Sequence, residues 1–213
     1  ANDVGLLKKR LKFLDLQIND QKRKTYLIEE DYIKEFYEFN RVKPAPIIHI
    51  DTEKLQGLSK FHKCCFDELV SDLNFTAVRS TKLIKENPNF NNQFVYSKNL
   101  ISDLILGKIE PKEILNVRKF AKFIALADLF GAWHGTQTYN LRFYFNPYDK
   151  LLEPIPDDMF DEPRNKPPRQ FALFKIRSLL GYSIFYERLF NNNEFLYLYY
   201  EYLDKFTQDE FLN

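Results

Sequence analysis

Glycine is scarce in this chain, and its scarcity excludes one common way of holding phosphate. The six glycines are scattered, with Gly131 and Gly135 as the nearest pair, and they form no glycine-rich loop or Walker-type motif. Such loops cradle the phosphates of a nucleotide with backbone amides. Any nucleotide site built from these 213 residues must therefore hold phosphate in another way.

Cysteine and histidine are sparse as well. The two cysteines, Cys64 and Cys65, are adjacent, which fits neither the C-x-x-C spacing of a zinc or redox site nor a disulfide framework. We interpret them as buried thiols, because free cysteine is among the most buried residue types. The three histidines, His49, His62 and His134, are far apart and form no ligand pair of the H-E-x-x-H kind. We therefore expect no zinc site.

The chain has no excess of charge of either sign and no long apolar run. Its 31 basic and 30 acidic residues nearly cancel, and no long basic run occurs, so we expect no nucleic-acid partner. No apolar run reaches the roughly 20 residues of a membrane span, and no charged-then-apolar leader opens the chain. We predict no transmembrane segment. The compartment stays open between a cytoplasmic protein and one whose leader has been removed.

A chain of 213 residues can bury a substantial core, and we predict a single domain over residues 1–213. Apolar residues at helical spacing predict a mainly α fold with a short β-hairpin, an α+β class. We predict Asn116 as a helix N-cap, with Gly107 and Gly131 ending helices. The residues between Asn116 and Gly131 are apolar nearly all round, which indicates a helix in the centre of the core. The predicted helices cover residues 4–19, 29–39, parts of 52–86, 91–107, 116–130, 171–190 and 194–206.

In the first half of the chain we predict one helix with a basic face and one strand. The basic face of residues 4–19 fits either a membrane-surface helix or a helix packed on the core, and Asp15 and Asp20 favour packing because they remove a sustained excess of positive charge. Strand-forming sequence before residue 110 is scarce. Only residues 47–50, an extended apolar run behind two prolines, predict a strand there.

Residues 141–155 predict the β-hairpin. Apolar and aromatic runs flank residues 146–150, whose Asn, Pro and Asp are typical turn formers. The second arm contains Pro154 and is followed by Pro156, and neither can donate to a strand ladder. We therefore expect a short ribbon whose second arm lies at a sheet edge.

A hairpin brings together the residues at its two open ends. Asn140 stands before the first arm and Asp158 follows the second, and paired strands lie only about 5 Å apart. An amide oxygen and a carboxylate side by side are hard ligands that suit Mg²⁺, which fills the rest of its shell from water and phosphate. The loop containing Trp133 and His134 lies just upstream. The sequence therefore predicts a phosphoryl-transfer site at the mouth of the hairpin.

The same residues carry a family resemblance. Residues 123–135 read FIALADLFGAWHG, residues 139–147 read YNLRFYFNP, and residues 150–156 read KLLEPIP and are followed by aspartate. This block resembles the centre of the spore coat protein H family, the CotH-type kinases, whose fold is similar to that of a protein kinase. The resemblance is clear over about residues 88–160. A kinase-like first lobe would supply a β-sheet and a phosphate-binding loop, and neither is predicted here. We therefore expect the chain to be mainly the C-terminal helical lobe of a kinase-like domain, either within a longer protein or in a protein whose first lobe is reduced.

The resemblance also implies cofactors and roles. ATP would be the phosphate donor, with Asn140 and Asp158 as the Mg²⁺ ligands and Trp133 beside them in the cofactor site. Where the family usually has an aromatic residue this chain has Asp157, so either of two adjacent aspartates can face the metal, and we favour Asp158. Where many members have a catalytic aspartate, this chain has His134.

Two candidate catalytic residues follow. Imidazole exchanges protons near neutral pH, so His134 can serve as a general base, or it can bond to Asp128 or a main-chain carbonyl and only fix the loop. Asp128 lies inside the apolar helix and needs a partner, since burying an unpaired charge is costly. That partner could be a backbone amide, an arginine or His134, and Asp128 has either a structural role or a role in orienting the catalytic loop.

We therefore predict an ATP- and Mg²⁺-dependent phosphotransferase that acts on a protein or other hydroxyl acceptor whose identity the sequence does not give. The missing glycine-rich loop predicts low ATP affinity. The alternative is a catalytically silent kinase-like binding or scaffold module, which the missing carboxylate base and the missing glycine-rich loop favour. A hydrolase that pairs Asp157 with Asp158 is disfavoured, because adjacent residues on an extended chain point to opposite sides.

Overall fold

The computed structural model describes residues 5–51, 74–77, 81–136, 140–159 and 184–212. In these ranges the chain forms six strands and eight α-helices, which confirms the α+β class. The strands are β1 (Leu11–Leu16), β2 (Lys24–Glu29), β3 (Ile47–Asp51), β4 (Asn74–Ala77), β5 (Arg142–Phe145) and β6 (Leu152–Ile155). The helices are α1 (Lys34–Asn40), α2 (Thr81–Glu86), α3 (Pro88–Ile105), α4 (Pro111–Ile114), α5 (Val117–Leu129), α6 (Ile184–Phe190), α7 (Asn193–Phe206) and α8 (Asp209–Leu212).

The predicted hairpin is confirmed. Strands β5 and β6 pair antiparallel, with Arg142 opposite Ile155 and Phe145 opposite Leu152. They belong to a four-stranded antiparallel sheet of order β4-β3-β5-β6, so β6 lies at its edge, as its prolines require. At the turn, the amide of Lys150 donates to the carbonyl of Asn146 (2.8 Å).

Strand β3 confirms the strand predicted at residues 47–50, and it lies inside the four-stranded sheet with Ile47, Ile48 and Ile50 fully buried. Its neighbour β4 was not predicted, because it falls in the segment read as helical. Only β4 and α2 of that segment belong to the described residues. The predictions for Cys64, Cys65 and His62 lie outside them.

The predicted helix over residues 4–19 is wrong. Residues 11–16 form β1, which pairs with β2 in a separate two-stranded ribbon, with Phe13 opposite Leu27 and Leu14 opposite Tyr26. The chain turns near Asn19, which takes a positive φ of 52°. Closely spaced leucine and phenylalanine residues satisfy helical spacing and strand alternation alike, so periodicity could not separate the two. The membrane-surface helix considered for this segment is excluded with it.

Two further expectations fail for the same reason. Helix α1 begins at Lys34 instead of residue 29, because Glu29 is the last residue of β2 and pairs with Leu11. Strand-forming sequence before residue 110 is not scarce, since four of the six strands in the described ranges lie there.

Helix α5 is central to the core, as predicted. The side-chain oxygen of Asn116 caps it by accepting from the amide of Lys119 (3.2 Å), and Gly131 follows its end with a φ of 65°. Three aromatic rings join α5, β5 and α6. The ring centres of Phe120, Phe143 and Phe185 lie 5.5 to 5.9 Å from one another. This aromatic cluster fixes the hairpin against the helix that leads into the candidate site.

The remaining helices agree with the prediction where they are described. Helix α3 begins at Pro88, three residues earlier than expected, and Gly107 follows it with the positive φ of a helix-ending glycine. Helices α6 and α7 occupy the described parts of the two predicted C-terminal helices. None of the helices in the ranges given above combines the length and apolar character needed to cross a bilayer.

Candidate functional site

A short 3-10 helix, Trp133–Thr136, follows α5 and carries the loop of the candidate site. The amide of Ala132 donates to the carbonyl of Ala127 (2.8 Å) and closes the end of α5. The hydroxyl of Tyr186 on α6 donates to the carbonyl of Thr136. Burial raises the pKa of Tyr186, so this hydroxyl stays protonated and remains a donor. The loop is thus tied to two helices of the core.

Three of the predicted site residues meet at the mouth of the hairpin. The Nδ1 atom of His134 lies 2.7 Å from Oδ2 of Asp158, and the Nδ2 atom of Asn140 lies 3.2 Å from the same oxygen. The side chains of His134 and Asp158 are 35% and 50% exposed, so a ligand from solvent can reach them. We call these three residues the hairpin-mouth site.

For a neutral His134 ring, the hydrogen-bond pattern favours one tautomer. The two N–H groups of the Asn140 amide have two acceptors, the carbonyl of His134 (3.0 Å) and the carboxylate of Asp158. The same Nδ2 atom also lies 3.2 Å from Nδ1 of His134, but two donors do not bond to each other. With Nδ1–H of His134 donating to Asp158, the lone pair of the neutral ring is on Nε2.

A close backbone contact holds Asp158 beside the loop. A Cβ atom added to Gly135 would lie 2.6 Å from the carbonyl oxygen of Asp157 and would also clash with the sulfur of Met159. Asp158 itself has a φ of 50°, in the left-handed region, where aspartate is more common than most other side chains. Glycine at position 135 is therefore required for the approach of the loop to the segment after the hairpin.

Asp157 has different partners. Its Oδ1 lies 2.6 Å from Nζ of Lys9, and its Oδ2 lies 3.6 Å from Nε of Arg142. The adjacent aspartates thus bind separate groups, and it is Asp158 that joins His134 and Asn140. This arrangement agrees with the choice of Asp158 over Asp157 as the site residue, and it gives no support to a paired-acid hydrolase.

Asp128 is tied to the helical core. The hydroxyl of Tyr199 on α7 donates to its Oδ2 atom (2.7 Å), and burial, followed by the charge of Asp128, raises the pKa of Tyr199. A tyrosine was not among the partners predicted for Asp128. The contact joins α5 to α7 and favours the structural role for Asp128. The side chain of Trp133 lies outside what the structure describes, so its predicted place in the cofactor site remains a prediction.

The ligands that the hairpin-mouth site offers fit a Mg²⁺ ion that is bound mainly through water and phosphate. The described ranges contain no group of three or more His, Cys, Asp or Glu side chains placed to hold a metal ion. The site offers one carboxylate and one amide, which matches an ion that takes most of its ligands from water and phosphate. The amide nitrogen of Asn140 faces Asp158, so its oxygen becomes a ligand only after the side chain rotates.

Two residues that support the site, Lys9 and Tyr186, carry no signal in the sequence that marks them. Lys9 is one of several basic residues in the segment predicted as a helix over residues 4–19, and Tyr186 lies in the helix predicted over residues 171–190. Each contacts a residue distant in sequence, Asp157 in one case and Thr136 in the other. No local pattern marks such contacts, since they depend on how the elements pack.

No protein-family model matches the chain, and a comparison with curated proteins finds no significant match. The resemblance to CotH-type kinases therefore stays a prediction that rests on the residues quoted for it.

Proposed function

We propose that the protein is an ATP- and Mg²⁺-dependent phosphotransferase that acts on a hydroxyl acceptor. The observation that carries the proposal is the meeting of His134, Asn140 and Asp158 at the mouth of a hairpin that directly follows an apolar core helix. The order of helix, loop, hairpin and acid is the one expected of the C-terminal lobe of a protein-kinase-like fold. We propose that fold relationship together with the activity.

Asp158 and Asn140 are the residues that would hold Mg²⁺. Within the described residues both contacts of Asp158 go to Oδ2, which leaves Oδ1 as a ligand. When bound, the ion would neutralise charge on the phosphates of ATP during transfer. With no glycine-rich loop in the sequence, much of the nucleotide affinity must come from this pair, so we expect the affinity to be low.

His134 is the proposed general base. Its Nδ1–H donates to Asp158, so Nε2 is the atom that takes the proton of the acceptor hydroxyl. The carboxylate fixes the tautomer and the direction of the ring, as the acid does in a serine hydrolase triad. Asn140 holds the loop in place through the carbonyl of His134. Asp158 thus serves both as a metal ligand and as the partner of His134. Asn140 holds the loop until its amide rotates to present its oxygen to the ion.

One observation favours the second candidate function, a catalytically silent kinase-like binding module. The three polar groups of the site already satisfy one another, with His134 paired to Asp158 and Asn140 bonded to both. A site that has lost its ligand can persist as such a closed network. The two functions differ in whether Mg²⁺ and ATP open the network.

The test is calorimetric titration of the protein with ATP, with and without Mg²⁺. The variants are Asn140→Ala and Asp158→Asn, and the matched control is Asp149→Asn, which changes an exposed acid at the opposite end of the same hairpin. We expect Mg²⁺-dependent binding by the wild type and the control, and its loss in the two site variants. Circular dichroism and urea unfolding confirm that each variant is folded.

Two results oppose the proposal in different ways. Binding that survives both site substitutions shows that the nucleotide binds elsewhere and rejects the site. A folded wild-type protein that binds no nucleotide at any Mg²⁺ concentration rejects the phosphotransferase and supports the silent module.

A further inference from the structure

We propose that Lys9 and Asp157 form a positioning pair that sets the direction of Asp158 in the hairpin-mouth site. The inference rests on the proposed function for the purpose of the site, while its test below does not require nucleotide binding. Neither residue is assigned a role by the resemblance, which has an aromatic residue in the place of Asp157.

The pair is close and largely removed from solvent. The distance from Nζ of Lys9 to Oδ1 of Asp157 is 2.6 Å, and the two side chains are only 11% and 12% exposed. The same ammonium lies 3.3 Å from a carboxylate oxygen of Glu29 and 4.4 Å from the centre of the Tyr32 ring. Lys9 is thus enclosed by an aromatic ring and two acids, and its charge is directed at Asp157.

Asp157 depends on this cation. Arg142 is the other positive group facing it, at the longer distance of 3.6 Å. The buried hydroxyl of Tyr32 lies near Asp157 but makes no hydrogen bond of normal geometry in the described part of the chain. Burial, followed by the charge of Asp157, raises the pKa of Tyr32, so the hydroxyl stays neutral. It carries no positive charge and does not replace the ammonium of Lys9. Removing Lys9 would leave this buried carboxylate with Arg142, at 3.6 Å, as the only cation that the described residues place beside it, and a carboxylate that loses its main cation moves or draws in water.

The position of Asp157 determines that of Asp158. The side chain of Asp157 is held by Lys9, and its carbonyl oxygen packs against Gly135 on the loop. The next residue, Asp158, takes a left-handed backbone conformation that brings its carboxylate to His134. Because the peptide bond between the two aspartates is planar, a shift of Asp157 is transmitted to Asp158. Lys9, just before β1, and Glu29, the last residue of β2, therefore stabilise the candidate site although neither belongs to it.

The test follows the proton on His134. In protein labelled with ¹⁵N-histidine, NMR reports which ring nitrogen carries the proton, and a His134→Gln variant identifies the signals. We expect the Nδ1–H tautomer in the wild type, its loss in Lys9→Met and in Asp157→Asn, and its retention in Lys9→Arg, which keeps the charge. The double variant Lys9→Met/Asp157→Asn should lose no more of the Nδ1–H tautomer than either single variant, because each substitution already breaks the same ion pair.

Arg10→Gln is the matched control. Arg10 is the next residue along the chain and forms its own ion pair with Glu30 (2.7 Å), away from Asp157. Retention of the Nδ1–H tautomer in both Lys9→Met and Asp157→Asn overturns the proposal, and so does its loss in Arg10→Gln. Urea unfolding shows that each variant is folded before its tautomer is compared.

A second readout separates this inference from the proposed function. Partners that orient a metal ligand typically change metal affinity about 10- to 100-fold when they are removed. We expect a loss of that size in the affinity of Lys9→Met for Mg²⁺ and ATP, and wild-type affinity in Arg10→Gln. A wild-type protein that binds no nucleotide defeats the proposed function, yet the tautomer of His134 still decides whether Lys9 and Asp157 position the site.

Discussion

Replacing Lys119 with methionine should destabilise the protein more than replacing its partner Glu153 with glutamine. The two side chains form an ion pair between α5 and β6, with Nζ 2.7 Å from Oε2. Glu153 is only 3% exposed, whereas Lys119 is 29% exposed. The other carboxylate oxygen of Glu153 accepts from the amide of Asn146 in the hairpin turn (3.0 Å). The ion pair therefore joins the hairpin to the central helix.

Each of the two substitutions leaves a different charged side chain without its partner. Methionine at position 119 leaves a buried carboxylate without its cation, and breaking a buried ion pair in this way costs ~3–5 kcal/mol. Glutamine at position 153 leaves only Lys119, which can turn toward water, and its side-chain oxygen still accepts a hydrogen bond. The cost there should be that of one weakened hydrogen bond, about 1 kcal/mol. The double variant should be more stable than Lys119→Met alone, because no buried charge remains.

Urea unfolding followed by circular dichroism measures the three free energies of unfolding. An unchanged dependence of the free energy on urea concentration shows that the same surface is exposed in every variant. If Lys119→Met costs no more than Glu153→Gln, the carboxylate of Glu153 does not depend on its cation. If the double variant loses the sum of the two single costs, the two side chains are not coupled.

Three further predictions follow from single contacts. Gly135→Ala should lower the free energy of unfolding by about 1–3 kcal/mol, because the new methyl group meets the carbonyl of Asp157. It should also abolish Mg²⁺-dependent ATP binding, and unchanged binding contradicts this. Tyr186→Phe should lower the free energy of unfolding by about 1–3 kcal/mol, because the carbonyl of Thr136 loses its donor, and a loss below that range contradicts the contact. Burial raises the pKa of Tyr37 to about 12, above its ordinary value of 10.0. Its contribution to stability is therefore complete below pH 10 and lost as the pH rises through 12. Other buried tyrosines with raised pKa values add to the alkaline decline of the urea midpoint, so Tyr37→Phe should make this decline shallower without removing it. A decline as steep as that of the wild type contradicts this.

Local signals predicted those parts of the fold that local chemistry determines. The hairpin, the edge position of its second strand and the cap at Asn116 all follow from turn formers, prolines and a capping side chain within a few residues. The ribbon β1–β2 could not be predicted in this way, because the spacing of Leu11 and Phe13 fits a helix and a strand equally. Pairing with β2, a separate segment of the chain, decides between them.

The candidate site shows the same division. Asn140 and Asp158 could be predicted as neighbours, because the hairpin between them fixes their distance. His134 could be placed near them, since α5 leads directly into its loop. The partners of Asp157 and Asp128 could not be predicted, since Lys9 and Tyr199 approach from segments whose packing no local pattern records.

We propose that His134, Asn140 and Asp158 form one metal–nucleotide site. Replacement of Mg²⁺ by paramagnetic Mn²⁺ in the presence of ATP can show this, since a bound Mn²⁺ broadens the NMR signals of nearby groups. We expect the ring signals of His134 to broaden in the wild-type protein and to stay sharp in Asp158→Asn under the same conditions. Ring signals that stay sharp in the wild type at saturating Mn²⁺ and ATP, or that broaden equally in Asp158→Asn, would contradict it.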